Sequence, residues 1–165
     1  MIELIVLDVD GTMTDGKITY TSDNLEIKSF NVKDGLAITS WLKLGKEVAI
    51  ITGRKSEILQ KRADELNIKY LYQKVDNKQK ILENLIKELN LTMDNVASIG
   101  DDLNDFDMLK NSKLAFVPND ANPYLDEIDV MRLNKNGGDG VVAQMIEYLI
   151  EEENLKERYI KLWSE

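Results

Sequence analysis

The sequence predicts an α/β protein with a Rossmann-like, mostly parallel sheet flanked by helices, a β-hairpin insertion near the N-terminus and no cap domain. Short, nearly continuous apolar runs read as strands buried on both faces, and amphipathic segments of helical period alternate with them. Polar clusters stand at the ends of several apolar runs, where open parallel sheets bind their ligands. The first run, 2–7, leads into Asp-Val-Asp-Gly. Residues 17–30, rich in Thr, Tyr, Ile and Phe around Ser-Asp-Asn (22–24), read as the hairpin. A helix is expected over 36–44, with Gly45 as its stop. Strand 48–51 ends in Thr-Gly and precedes a helix over 56–66. A weaker strand, 70–72, precedes the helix 77–89, whose Ile81, Leu82, Leu85, Ile86 and Leu89 share one face. Strand 96–99 ends in Gly-Asp-Asp, followed by a helix over 103–109, strands at 114–117 and 129–133, and a closing helix over 141–155.

The 165 residues suffice for one domain, 1–165, with a sizeable core. With two prolines and no Gly/Ser-rich stretch, the chain offers no linker between domains. A net charge of −9 argues against nucleic acid or an anionic membrane as partner, since both need a basic face. No apolar run approaches a membrane span, and the N-terminus lacks a basic signal-peptide segment, so a cytoplasmic protein is expected. The chain has no cysteine and no histidine. That removes thiolate nucleophiles, Ser–His–Asp catalysis and His-ligated zinc, and leaves carboxylates, Lys, Arg, hydroxyls and a hard metal to carry any chemistry.

Asp8 and Asp10 follow a strand with two buried faces, where adjacent carboxylates raise each other's pKa unless a cation offsets their repulsion. They could be plain turn formers beside Gly11, but a turn needs only one Asp. Asp101 and Asp102 end another strand, with Asp105 in the next helical turn. Alone these read more readily as helix caps; beside the first pair, Asp101 becomes a third carboxylate of an all-oxygen site suited to Mg²⁺. Thr52 and Gly53, between strand and helix, offer a hydroxyl and backbone N–H groups to phosphate oxygens, or simply make a turn. Lys78, at a helix start, is either solvated or a further phosphate ligand.

Taken in order, Asp-Val-Asp-Gly-Thr (8–12), Ile-Thr-Gly (51–53), Lys78 and Gly-Asp-Asp-Leu-Asn-Asp (100–105) resemble the four motifs of the haloacid dehalogenase superfamily, across almost the whole chain. The resemblance implies that Asp8 is a nucleophile forming an aspartyl-phosphate and Asp10 a general acid and base. It implies Mg²⁺ on Asp8, the Asp10 carbonyl and Asp101, phosphoryl contacts from Thr52, Gly53 and Lys78, and supporting roles for Asp102 and Asp105. A narrower resemblance is to the capless 3-deoxy-D-manno-octulosonate 8-phosphate phosphatases. It rests on Thr-Asp-Gly (14–16), Phe-Asn-Val-Lys-Asp-Gly (30–35), Thr-Gly-Arg-Lys-Ser (52–56), Lys-Arg-Ala-Asp-Glu-Leu (61–66) and Gly-Gly-Asp-Gly (137–140). It implies an acidic sugar phosphate as substrate, contacts from Asn31, Val32, Lys33, Asp34, Gly35, Arg54 and Arg62, and a homotetramer in which a neighbouring subunit covers the active site.

The chain departs from that pattern at Thr39, where the family often has Arg, and at Asn122, where it often has His. Arg62 could instead pair with Glu65 along its helix. A nine-carbon ketoacid 9-phosphate is the neighbouring substrate class; its enzymes tend to carry Glu and Lys at the positions of Arg54 and Glu65, so both residues here favour eight carbons. Other classes compatible with an acidic cluster are a non-catalytic scaffold, which would have lost a ligand or the nucleophile, and a response-regulator receiver, which would place its phosphorylated Asp on a middle strand. The tail 153–165, with Tyr159, Leu162 and Trp163, fits either a subunit contact or an ordinary amphipathic helix end.

Overall fold

The computed structural model describes residues 1–164. Strand β1 (Leu4–Leu7) is central in a six-stranded sheet of order β5-β4-β1-β6-β7-β8, with every pairing parallel. The other strands are β4 (Glu47–Ile51), β5 (Tyr70–Tyr72), β6 (Val96–Ile99), β7 (Leu114–Val117) and β8 (Met131–Arg132). Alternation along β1 divides the core. Ile5 and Leu7 join the cluster containing Trp41, Leu59 and Ile146, whereas Leu4 and Val6 join that containing Leu82 and Leu85. Helices α1 (Val32–Lys43), α2 (Glu57–Glu65) and α5 (Val141–Glu152) supply the first cluster, and α3 (Lys78–Glu88) the second. After β1 the chain builds β4 and β5 on one side, then returns to β6 on the other. This reversal beside β1 opens a crevice at the strands' carboxyl ends.

Four expectations need correction. The hairpin pairs only two residues per strand, β2 (Thr19–Tyr20) against β3 (Glu26–Ile27), because no second sheet backs it. Helix α1 starts at Val32, not Leu36: Asn31 is extended and its side chain accepts from Lys33 N at 2.9 Å, so this N-cap outweighs the poor helix propensity of Gly35. Residues Leu103–Asp105 form a 3₁₀ turn before α4 (Phe106–Asn111), since Asp102 and Asp105 make a reciprocal capping box there. The closing helix breaks in two. Asn154 adopts a left-handed φ of 56°, and α6 (Lys156–Lys161) folds back onto α1. Trp163 Nε1 donates to Ser40 Oγ at 3.0 Å and the Lys43 ammonium lies 3.9 Å from the Trp163 ring centroid, so the described tail packs on its own chain.

Candidate active site

The ends of β1, β4 and β6 bring Asp8, Asp10, Thr52, Gly53, Arg54, Asp101 and Asp102 around one cleft of about 410 Å³, with Leu103 and Asn104 at its side. Asp8 N donates to Ile99 O at 3.0 Å, extending the β1–β6 ladder and fixing where the Asp8 side chain emerges. The turn after Asp8 is tightly specified. Gly11 has φ +103°, and a Cβ there would collide with the Asp101 carboxylate. Gly138 N donates to Thr12 O at 3.0 Å, and Gly137 packs so closely on the Gly11 carbonyl that no side chain fits. The 137–140 loop therefore buttresses the Asp8–Asp10 turn as well as opening α5.

Lys78, at the first turn of α3, is buried and donates to both Asp8 Oδ1 and Asp105 Oδ1. Asp105 is fully buried; its Oδ2 accepts from Asp101 N at 3.0 Å and Asp102 N at 3.3 Å. It thus shapes the β6 loop and neutralises Lys78, with neither oxygen free. Burial pushes Asp8 up to about 7, with Lys78 opposing and Asp101 adding to the rise. Burial likewise raises Asp101 and Asp105 to about 6, Asp105 being raised further by Asp8. Asp8, Asp101 and Asp105 each offer an oxygen within 4.8 Å of the other two. Hard oxygen donors whose ionised forms are penalised by burial and mutual repulsion fit a magnesium ion. With Asp105 already committed, Asp8 and Asp101 are the carboxylates able to hold it.

A pH dependence follows. The folded carboxylates bind protons more tightly than the unfolded chain, whose value is near 3.8. Their contribution to stability is therefore greatest below about pH 4 and is lost as pH rises through 6 to 7. In EDTA the melting temperature should carry this falling component between pH 5 and pH 8. Added Mg²⁺, which needs ionised ligands, should raise the melt more at pH 8 than at pH 5. An equal shift at both would contradict the assignment.

A model of haloacid dehalogenase-like hydrolases matches residues 70–146. The 3-deoxy-D-manno-octulosonate 8-phosphate phosphatases of Salmonella typhi and of Escherichia coli K12 are each 38% identical over 149 residues, covering 90% of this chain and 79% of theirs. This chain belongs to the 3-deoxy-D-manno-octulosonate 8-phosphate phosphatase family of haloacid dehalogenase-like hydrolases. Among solved structures, the Moraxella catarrhalis phosphatase in complex with magnesium, phosphate and the sugar acid superposes with a TM-score of 0.93 at 33% identity, covering 99% of this chain and 94% of that one. The cobalt-bound Haemophilus influenzae enzyme gives 0.86 at 32% identity, covering 91% and 88%.

Seen as a member of this phosphatase family, the chain divides its expected site residues into two groups. Asp8, Asp10, Thr52, Gly53, Arg54, Asp101 and Asp102 share the cleft, and Lys78 and Asp105 stand directly behind Asp8. Asp102 caps the 3₁₀ turn, and its Oδ1 also accepts from Asn122 Nδ2 at 2.8 Å, so the family's usual His position is here a support for that turn. Asn31, Val32, Lys33, Asp34, Gly35 and Arg62 do not line the cleft of their own chain. Asn31 Nδ2 donates to Gly138 O at 3.1 Å; Asp34 is buried, accepting from Ala143 N at 2.8 Å as a cap on α5. Arg62 lies over the Phe30 ring and 3.5 Å from Glu65, in a separate apolar groove with Val32, Gly35, Leu36, Thr39 and Trp163. Two residues that bind the cleft's Asp10 and Arg54 escaped the sequence reading, Lys28 and Glu26. Both come from a hairpin whose register the sequence left loose, and only folding turns them inward.

Proposed function

We propose that this chain is a magnesium-dependent phosphomonoesterase that hydrolyses 3-deoxy-D-manno-octulosonate 8-phosphate to the free sugar acid and phosphate. The observation that carries the reading is Asp8 lining the parallel-sheet crevice, in contact with Lys78 and sharing that crevice with Asp101, Thr52 and Arg54, in a chain whose relatives carry that activity in their names. In this reading Thr52, Gly53 and Lys78 hold the phosphoryl oxygens. An Asp8 oxygen attacks phosphorus as the ester P–O bond breaks, and Asp10 gives its proton to the departing sugar oxygen. Asp10 then takes a proton from water, whose oxygen attacks the aspartyl-phosphate, releasing phosphate and restoring Asp8. Magnesium on Asp8, the Asp10 carbonyl and Asp101 would screen the approach of one anion to another.

Arg54 stands at the cleft mouth, its guanidinium 3.0 Å from Glu26 and 3.8 Å from Asp10, where a bidentate cation suits the acid group of the sugar. Arg54→Ala should raise KM about 10- to 100-fold, the value of one or two hydrogen bonds between charged groups, with a smaller change in kcat. Steady-state kinetics at saturating Mg²⁺ check this.

The same reading extends to a homotetramer of single capless domains in the cytoplasm. Asn31, Val32, Lys33, Gly35 and Arg62 would then reach substrate from a neighbouring subunit. Support comes from the exposed apolar side chains of the hairpin region, Ile18, Tyr20, Leu25 and Ile27. Among the described residues no helix is long and apolar enough to cross a membrane.

The decisive experiment measures phosphate release, with Mg²⁺ and with EDTA, from eight- and nine-carbon sugar-acid phosphates, hexose phosphates and nucleotides. Selective Mg²⁺-dependent turnover of the eight-carbon ester is expected. A strong preference for a hexose phosphate or nucleotide would overturn the assignment.

A further inference from the structure

Lys28 follows strand β3 directly, in a hairpin whose other side chains are mostly exposed, yet its own side chain is only 3% exposed. A lysine at such a place normally extends its ammonium into water. Here it turns inward and donates to Asp10 Oδ1, with Glu26 Oε1 at 3.6 Å. Glu26 also accepts from Arg54 Nη2 at 3.0 Å, and Arg54 Nε lies 3.8 Å from Asp10 Oδ2, too far for a hydrogen bond. Burying an ammonium is costly without such partners. The four charges close a ring that ties the hairpin to the Asp8–Asp10 turn, and within it the two Asp10 oxygens are unequal: Oδ1 is held and Oδ2 is not.

We propose that Lys28 is a positioning residue for Asp10: by holding Oδ1 it presents Oδ2 as the oxygen that exchanges the proton with the leaving group and then with water. The proposal rests on Asp10 being the general acid and base of the reading above. The hairpin thereby becomes part of the catalytic apparatus, because its exit strand sets the orientation of the proton carrier.

The chain has no native cysteine, so Lys28→Cys introduces a unique thiol. Alkylation with 2-bromoethylamine in denaturant, then refolding, restores an ammonium of nearly the same reach; wild type carried through the same steps is the control. Lys28→Cys should lower kcat on the sugar phosphate on the order of 10²-fold with KM little changed, the scale of a misplaced catalytic group. Alkylation should restore most of it. The burst of phenol release from an aryl phosphate, whose leaving oxygen needs no protonation, should keep its wild-type rate; a merely structural defect would slow it too. Lys28→Met, which keeps the apolar stem, stands in if the cysteine variant does not refold. Wild-type kcat in a folded Lys28 variant, a slowed burst, or complete alkylation without recovery would overturn the proposal. Asp10→Asn separates the two levels: if it is inactive while Lys28→Met is normal, only the role of Lys28 fails, whereas full activity in Asp10→Asn removes the underlying mechanism.

Discussion

Asp8→Asn is expected to lower phosphatase turnover by on the order of 10⁴-fold or more, the scale on which loss of a catalytic nucleophile is felt. The amide is isosteric with the carboxylate and keeps an oxygen toward Lys78, so the cleft should retain its shape while losing the group proposed to attack phosphorus. Stability should move the other way. Burial holds Asp8 at about 7, so at pH 8 the folded wild type without metal carries an ionised carboxylate in a site that disfavours it. A neutral amide removes that penalty, and Lys78 still has Asp105 as its counter-charge. The variant should therefore melt above wild type in EDTA at pH 8, approach it at pH 5, and gain less from Mg²⁺. Residual activity near wild type in protein freed of contaminating phosphatases would end the role assigned to Asp8. A lower melt at pH 8 in EDTA would show that the carboxylate contributes more through Lys78 than burial takes away.

The legible parts of the molecule are those whose physics is local. β1, β4 and β6 are short apolar runs that must be buried, and the polar residues ending them must emerge at one edge of a parallel sheet; Asp8, Thr52 and Asp101 were visible for that reason. Helix α3 declared itself by its apolar stripe. Contacts across long sequence separations were less accessible. Lys78 is 70 residues from Asp8, and nothing near it tells a solvated lysine from one buried between two carboxylates. Asp105 looked like a helix cap and is one, but it also binds Lys78. The Asn31–Gly35 stretch was expected at the substrate on resemblance alone. In the folded chain Asn31 and Asp34 join the starts of α1 and α5 to the glycine loop under the Asp8–Asp10 turn. Lys28 went unnoticed because a strand of two residues gives alternation nothing to work with, and its inward turn depends on Asp10 and Glu26 together.

Lys78→Met should be the most damaging substitution for the fold, and its cost should depend on pH. The Lys78 ammonium is 2% exposed on its side chain and lies between the carboxylates of Asp8 and Asp105, which are 6% and 0% exposed. Methionine fills nearly the same volume, so packing is largely kept and the loss is electrostatic. Two buried carboxylates are left facing each other without a counter-charge, and breaking a buried pair from one side costs about 3–5 kcal/mol. The protein can escape part of that cost by protonating them. Asp8 and Asp105 already titrate near 7 and 6 with the lysine present, and both should rise once it is gone. Urea denaturation in EDTA should therefore show the full loss at pH 8 and a much smaller one at pH 5, where the pair is protonated in the folded variant. Magnesium should recover part of the deficit at pH 8, because the ion supplies positive charge to Asp8 and to the Asp105 Oδ1 that loses Lys78, while Asp105 Oδ2 stays bound to the Asp101 and Asp102 amides. A loss equal at both pH values would assign the role of Lys78 to packing instead of charge. In the proposed mechanism Lys78 also holds the phosphoryl group, so its loss should lower kcat by about 10²- to 10³-fold as well. Acidification that restores stability should leave that deficit in place, since protonating Asp8 removes the nucleophile the lysine serves.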